Sequence, residues 1–180
     1  MYMINTIYVL ILMFGYTNAN NFINGDIFVA DSLLNIGLNK EAADKYNDVG
    51  FHYYKQQNYS EALNYWKKSL ENYSKINDLY GISNLSNRVG VIYKRIGHYS
   101  EALKYYNQSY EISMDNLSDE SYAIVAGKSL NNLGTVNMKI GDYNRSLKFF
   151  NKSLKIKEEL NNKKDQVATI LNMGNVYTHL

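Results

Sequence analysis

A segment of roughly forty residues returns along this chain, and its repetition limits the possible folds more than any other feature of the sequence. Each complete copy contains an apolar residue followed by glycine. Further on, it contains a six-residue segment of similar composition whose second residue is tyrosine. The steps from one of these glycines to the next are 40, 44 and 40 residues. A fixed period of this length is typical of stacked supersecondary units, each of which buries its apolar face only against its neighbours. The glycines are Gly50, Gly90, Gly134 and Gly174.

Each repeat is predicted to form two helices joined by a short turn. In the first helix, Tyr46, Val49 and Tyr53 recur on one face at the i, i+3, i+7 spacing of an amphipathic helix. Gly97 and Gly141 stand where this helix would end, and glycine suits the left-handed residue that terminates a helix. The next residue in each copy is expected to cap the second helix.

Small residues at corresponding positions predict a close approach of the two helices. The repeated glycine has no side chain, and a small residue of the second helix is expected to face it, while large rings fill the gaps between layers. The longer step carries four extra residues near Asp115 to Ser118, which is about one helical turn and keeps the apolar stripe in phase. The facing small residues are Ala62, Ala102 and Ser146.

These residues resemble the tetratricopeptide repeat. The resemblance implies an all-α fold, a right-handed α-solenoid of stacked antiparallel helix pairs. The terminal proline of the family pattern is missing, since the chain has no proline, and the period exceeds the usual 34 residues, which indicates the long-repeat type. The matching positions are Val49, Gly50, Tyr53, Ala62, Trp66 and Ser69; Val89, Gly90, Tyr93, Ala102, Tyr106 and Ser109; and Leu133, Gly134, Ser146, Phe150 and Ser153, with Asn137 in place of an aromatic.

The chain start is predicted to be a signal peptide covering residues 1–19. An apolar run from Ile7 to Phe14 is too short to span a membrane, and a small-residue end follows at Ala19, although no Lys or Arg precedes the run. Export to the periplasm or the exterior is therefore favoured over a cytoplasmic location. An uncleaved anchor and a buried cytosolic helix remain open alternatives.

The remaining chain divides into a capping helix and an array of repeats. The capping helix is predicted at residues 20–38, and the array at 39–180. The repeats cover about 39–77, 78–117 and 118–162, and a fourth begins at 163–180. Because a half-repeat would leave Ile170, Met173 and Tyr177 exposed, we expect the sequence to be a fragment of a longer protein.

Composition and motif content argue against catalysis. The chain has no cysteine, so disulfides, thiolate metal sites and a cysteine nucleophile are excluded. Its net charge of +2 gives no electrostatic reason to expect nucleic acid as a partner. His52, His98 and His179 lie in different repeats or turns without metal-ligand spacing, and His98 is expected to substitute for a helix cap. We therefore predict a non-enzyme without metal or cofactor, which would reach a membrane only through a parent chain or an uncleaved signal.

The resemblance implies that the first helices line a concave groove, whose residues stand at fixed offsets from the repeated glycine. A series of asparagines there predicts recognition of a peptide backbone, because a primary amide both donates and accepts hydrogen bonds. A basic series adds a preference for acidic segments or a C-terminal carboxylate. The alternative is that asparagine is simply abundant and the basic series is solvated. The candidate groove residues are Asn47, Asp48, Phe51, Lys55, Asn87, Arg88, Val91, Arg95, Asn131, Asn132, Thr135, Lys139, Asn172 and Asn175.

Two functions fit these features. The first is a protein-binding scaffold that holds an extended peptide or partner segment in its groove. The second is the sensory input region of a larger bacterial signal-transduction protein, such as a histidine kinase or a transcriptional regulator. Further repeats after residue 180 would favour the scaffold, whereas a spanning helix followed by an output domain would favour the sensor.

Overall fold

The computed structural model describes residues 23–180, so the predicted signal peptide at residues 1–19 lies outside the described residues. Every regular element in the described part is an α-helix, and it contains no strand. The chain forms two compact units, which divide between Ile76 and Asn77. The described part of unit 1 covers residues 23–76, and unit 2 covers Asn77–Leu180.

Unit 1 contains three helices. Helix α1 runs through residues 23–35, within the segment predicted to be a capping helix, α2 is Asn39–Lys55 and α3 is Tyr59–Lys75. Its core is a cluster of Ala30, Ala42 and Tyr46. The Tyr46 hydroxyl also donates a hydrogen bond to the Asp31 carboxylate, which attaches α1 to α2. The predicted helical hairpin of the first repeat is present as α2 and α3.

Unit 2 contains five helices that pack in sequence order. The first helices of successive repeats also contact each other directly, since α6 packs against both α4 and α8. Ala102 and Tyr106 of the second repeat are buried against Leu133 and Val136 of the third. The apolar face of one hairpin is therefore covered by the next, as the period predicts. The helices are α4 (Leu79–Arg95), α5 (Tyr99–Asp115), α6 (Glu120–Lys139), α7 (Tyr143–Glu159) and α8 (Lys163–Tyr177).

An aromatic ring of the second helix lies directly on each of the first three repeated glycines. A Cβ atom built on Gly90 would stand 2.6 Å from Cε1 of Tyr106, which is closer than side chains pack. The same contact recurs in each hairpin with the residue sixteen positions after the glycine. Only glycine therefore fits these three positions without moving a ring. The pairs are Gly50–Trp66, Gly90–Tyr106 and Gly134–Phe150.

The close approach is confirmed, but the expected neighbours are not. The nearest atoms to the first two glycines belong to rings of the same hairpin rather than to Ala62 and Ala102. Tyr106 also packs against Leu133 and Val136 of the next repeat, as expected for a ring between layers. In the third repeat Ser146 does reach its glycine, because its hydroxyl donates to the Gly134 carbonyl over 2.8 Å. The physical reason is size: a glycine opens room for a whole ring, not only for a methyl group.

The turns inside the hairpins follow the prediction for glycine. Gly97 and Gly141 have φ angles of +80° and +84°, and Gln57 takes the same place in the first repeat with φ of +59°. A non-glycine residue pays a steric cost in this region. The first hairpin therefore has a strained turn where the second and third have relaxed ones.

The cap prediction holds for two hairpins and is wrong for His98. The Asn58 side chain accepts a hydrogen bond from the Glu61 amide at 3.3 Å, and Asp142 accepts one from the amide three residues on at 3.0 Å. His98 occupies the N-cap position but makes no side-chain cap hydrogen bond. Its ring stacks on Tyr93 instead, with 6.3 Å between ring centroids. Stacking on the preceding helix thus replaces the expected cap.

The four extra residues of the long step were expected near Asp115 to Ser118, and they fall in the adjoining α5–α6 link and at the start of α6. The link between α5 and α6 is four residues long, whereas α7 and α8 are joined by three. The other three residues lengthen α6, which has 20 residues against 17 for α4. The insertion therefore adds nearly one turn to the beginning of α6.

Candidate functional site

One face of unit 2 gathers most of the predicted groove residues. They stand two positions before, one after and five after the repeated glycine, so they follow the i, i+3, i+7 spacing of one helix side. All of them are half-buried or exposed, and α6 packs between the two helices that carry the others. We call this set the first-helix face. It consists of Arg88, Val91, Arg95, Asn132, Thr135, Lys139, Asn172 and Asn175.

Asn87 was predicted to face a ligand, but its side chain lies inside the helix stack. It is only 8% exposed, and its Nδ2 donates to the Ser129 hydroxyl over 2.8 Å. Ser129 in turn shares a hydrogen bond of 2.7 Å with Ser109. The Asn87 amide therefore connects α4, α5 and α6. The accessible amides belong to Asn132 and Asn172, which stand one position nearer to the repeated glycine.

Asn132 is held by groups from α4. Its Nδ2 donates to Oδ1 of Asn87 over 3.4 Å, and its own Oδ1 accepts from the Lys94 ammonium at 3.0 Å. Burial lowers the pKa of Lys94, and the neighbouring Arg95 lowers it further. A positive charge is thus placed in a partly desolvated position beside the face, where an anion would be favourable.

Asn131 and Asn172 are joined in a second network between α6 and α8. Oδ1 of Asn131 accepts from Nδ2 of Asn172 at 3.3 Å. It also lies 3.2 Å from the Thr169 hydroxyl, whose single proton has the Asp165 carbonyl as a second acceptor at 3.0 Å. Thr169 accepts from the ammonium of Lys157 over 2.7 Å. Lys157 is 5% exposed, and burial lowers its pKa, while the carboxylate of Asp165 acts in the opposite direction. A buried lysine therefore lies at the far end of the hydrogen-bond network that includes Asn172.

The two accessible amides retain hydrogen-bonding capacity. A primary amide has two N–H donors, and within unit 2 Asn132 and Asn172 each donate one hydrogen bond. The second N–H of each donates no hydrogen bond within unit 2, and its direction is fixed because the first is already bonded. Such fixed donors lose little rotamer freedom on binding.

The predicted groove residues of unit 1 lie on α2. Oδ1 of Asn47 is buried without a hydrogen-bond partner among the described residues, while its backbone carbonyl accepts from the Trp66 indole at 3.1 Å. Phe51 is 39% exposed, and the Lys55 ammonium lies 4.5 Å from the centroid of its ring. Asp48 is exposed beside them. These residues offer an aromatic surface with one acidic and one basic group.

Neither a metal cluster nor a membrane span is found in residues 23–180. No group of three or more His, Asp and Glu side chains in this range could hold a metal ion. No helix there is long and apolar enough to cross a membrane. His52 bonds to Gln56 over 2.8 Å, and His179 stacks on Tyr143. Both imidazoles therefore have local partners on the helix surface.

The helices form antiparallel pairs, and each complete hairpin has a glycine under an aromatic ring. The first helices carry a polar face. These features define a helical repeat protein of the protein-interaction class. The chain belongs to the tetratricopeptide repeat family. Two models of this repeat match residues 41–115 and 127–160, which together make up more than half of the chain. The family resemblance predicted from the sequence is thereby confirmed. The fold of this family is typically non-catalytic.

Solved structures agree in fold but are remote in sequence. The crystal structure of BtubC (BKLC) from P. vanneervenii has a TM-score of 0.69 at 20% identity, covering 86% of this chain and 66% of BtubC. The Rap conjugation gene regulator of plasmid pLS20, solved in complex with the Phr* peptide, has a TM-score of 0.64 at 15% identity, with coverages of 75% and 37%. The apo form of RapI has a TM-score of 0.65 at 18% identity, with coverages of 83% and 42%.

These likenesses confirm the predicted fold class, an all-α solenoid of stacked helix pairs. The chain spans just under two thirds of BtubC and less than half of each Rap protein. No curated protein matches the chain by sequence.

Proposed function

We propose that the chain binds an extended polypeptide segment carrying acidic groups along the first-helix face of unit 2. The observation that carries the proposal is the pair of accessible amides, Asn132 and Asn172, each fixed by one interhelical hydrogen bond and each with one N–H left. Amides held in this way can bind the carbonyl groups of a peptide backbone whatever its side chains are.

The charge of the same face supports an acidic ligand. Arg88, Arg95 and Lys139 lie on it, and the partly buried Lys94 adds a cation whose pKa is already lowered by burial. A carboxylate that approached Lys94 would offset this desolvation, so its binding would be stronger than at a fully hydrated lysine. The Rap regulator of pLS20, which has a similar fold, was solved with a peptide, and a peptide ligand is consistent with that likeness.

A peptide library tests the proposal directly. Random peptides displayed on phage would be selected on the recombinant chain, and the affinities of the selected peptides measured by isothermal titration calorimetry. We expect enrichment of Asp and Glu, and a loss of affinity of about tenfold or more in Asn132→Ala/Asn172→Ala, because two hydrogen bonds are removed.

The matched control replaces two exposed asparagines of the second helices, Asn107→Ala/Asn151→Ala, and should bind as the wild type does. Circular dichroism of both double variants checks that the fold is retained. If the two variants lose affinity equally, or neither loses any, the first-helix face is not the binding site.

A second candidate function is the input region of a larger regulator. The likeness in fold to the Rap conjugation gene regulator of plasmid pLS20 supports this candidate. In that case peptide binding would control an output domain elsewhere in the polypeptide. Sequencing of the gene beyond codon 180 would reveal such a domain or a stop codon. Export by the predicted signal peptide is a further proposal, which secretion of a tagged chain would test.

A further inference from the structure

A cavity of about 510 Å³ lies at the edge of unit 2 where α5 and α7 end and α6 begins. A smaller cavity of about 250 Å³ adjoins it and shares Leu117, Ile156 and Glu159 with it. The larger volume is within the range of about 300–1,000 Å³ that is usual for small-molecule sites. We call the larger cavity the link cavity. Its lining residues are Leu117, Ser118, Glu120, Ala123, Ile156, Glu159 and Leu160.

The link cavity lies beside the four-residue insertion. The extra residues place Leu117 and Ser118 in the α5–α6 link and extend α6 by nearly one turn, from which Glu120 and Ala123 line the cavity. The α7–α8 link is one residue shorter and is closed by Asn161 in a left-handed conformation. The cavity therefore lies at the insertion, and none of its lining residues belongs to the first-helix face.

The floor of the link cavity is apolar. Ala123 and Ile156 are each 7% exposed and form one buried cluster with Leu130. Leu117 and Leu160 are half-buried and pack against that cluster. A ligand with an apolar body would thus cover the exposed parts of Leu117 and Leu160, together with the small exposed remainder of Ala123 and Ile156.

The rim of the link cavity is acidic. Glu120 and Glu159 line it, both are exposed, and neither forms an ion pair with any residue from 23 to 180. The smaller cavity differs, because Lys152 and Lys155 line it together with Glu159. The charge on the larger cavity therefore favours a cation, whereas an anion would find its partners only in the smaller one.

We propose that the link cavity binds a small organic cation with an apolar body, of the alkylammonium or arylalkylammonium class. The apolar body lies on Ala123 and Ile156, and the ammonium group lies between Glu120 and Glu159. Neither the established repeat fold nor the proposed peptide site requires this binding, so the two sites can be tested separately.

Three probes of equal length separate the contributions of shape and charge. Heptylammonium, heptanol and heptanoate would be titrated into the isotopically labelled recombinant chain, and the methyl signals of Leu117, Ala123 and Ile156 followed by NMR. Heptylammonium should bind about three- to tenfold more tightly than heptanol, because two exposed carboxylates each contribute a modest attraction. Heptanoate should bind more weakly than either.

Surface variants keep the proposal falsifiable without disturbing the core. In Glu120→Gln/Glu159→Gln, heptylammonium should bind no more tightly than heptanol, while heptanol binding is unchanged. The control Glu71→Gln/Glu101→Gln removes two exposed glutamates elsewhere and should retain the preference. The proposal is overturned if no probe shifts these methyl signals up to its solubility limit, if heptanoate binds as tightly as heptylammonium, or if the Gln variant retains the cation preference.

Discussion

Replacing Gly90 by alanine is expected to destabilise unit 2, although alanine is the better helix former. The new Cβ would lie 2.6 Å from Cε1 and 2.7 Å from Cδ1 of Tyr106, whose side chain is fully buried and has no room to swing away. Overpacking of a core costs about 1–3 kcal/mol, and two ring atoms at this distance place the cost at the upper end. Helix propensity returns about 1 kcal/mol. The net loss of unfolding free energy should be about 2 kcal/mol.

The chain contains its own matched control. Gly174 occupies the equivalent position in α8. Apart from the backbone of α8 and the residues directly before and after the glycine, no atom of the described residues lies within 4 Å of where its Cβ would be. Gly174→Ala should therefore gain the helix propensity alone and stabilise α8 by about 1 kcal/mol. The same substitution is thus expected to have opposite signs at two equivalent positions, separated by about 3 kcal/mol.

Urea denaturation followed by far-UV circular dichroism measures both variants. A loss of about 2 kcal/mol corresponds to a melting temperature lower by roughly 4–8 °C in a chain of this size. If Gly90→Ala is as stable as the wild type, or if both variants change by the same amount, the glycine–ring contact does not hold the hairpins together.

Three other substitutions separate backbone strain, buried charge and surface charge. Gln57→Gly should stabilise unit 1 by about 0.5–1 kcal/mol, because glycine adopts the φ of +59° without strain. Thermal unfolding, followed by the fluorescence of the single tryptophan, measures this gain. An unchanged melting temperature would argue against strain. Lys157→Met tests whether burial lowers the pKa of the Lys157 ammonium group in the folded chain. The unfolded state holds the Lys157 proton to higher pH than the folded state does, so the stability of the wild type relative to the variant should rise as the pH approaches 10.5, and a pH-independent difference would contradict this. Arg95→Ala/Lys139→Ala should lower the affinity for a selected acidic peptide about three- to tenfold at low salt, and should make that affinity less dependent on salt. Calorimetry at two salt concentrations measures both effects. An unchanged salt dependence would exclude a contribution of the basic series to peptide binding.

The repeat architecture could be predicted because its signals are local in sequence. The glycine spacing, the turn glycines Gly97 and Gly141 and the position of the insertion all depend on residues within one repeat, and the structure has them where they were expected. The direction of the close approach could not be predicted in the same way. Whether a ring or a methyl group lies on Gly50 depends on the rotation of α3 about its axis.

The site was predicted less completely because its side chains bond across repeats. Asn87 and Asn132 are 45 residues apart in sequence and share a hydrogen bond. Ser109 bonds to Ser129 of the next repeat, whereas the equivalent Ser69 and Ser153 bond to a carbonyl of their own hairpin. The repeat register could have indicated the burial of Lys157, because it stands eleven positions after Ser146, where the other two hairpins bury Tyr73 and Ser113. The pairing of amides along the first helices could have indicated these networks, since abundant asparagines at successive repeat positions can bond to each other as well as to a ligand.

The most direct test of the account is the side-chain amide spectrum of the recombinant chain, recorded with and without a peptide selected from the library. If the peptide lies on the first-helix face, the NH₂ signals of Asn132 and Asn172 shift on binding, and those of Asn107 and Asn151 on the second helices do not. Shifts confined to Asn107 and Asn151, or bound peptide without any change at Asn132 and Asn172, would contradict the proposed site.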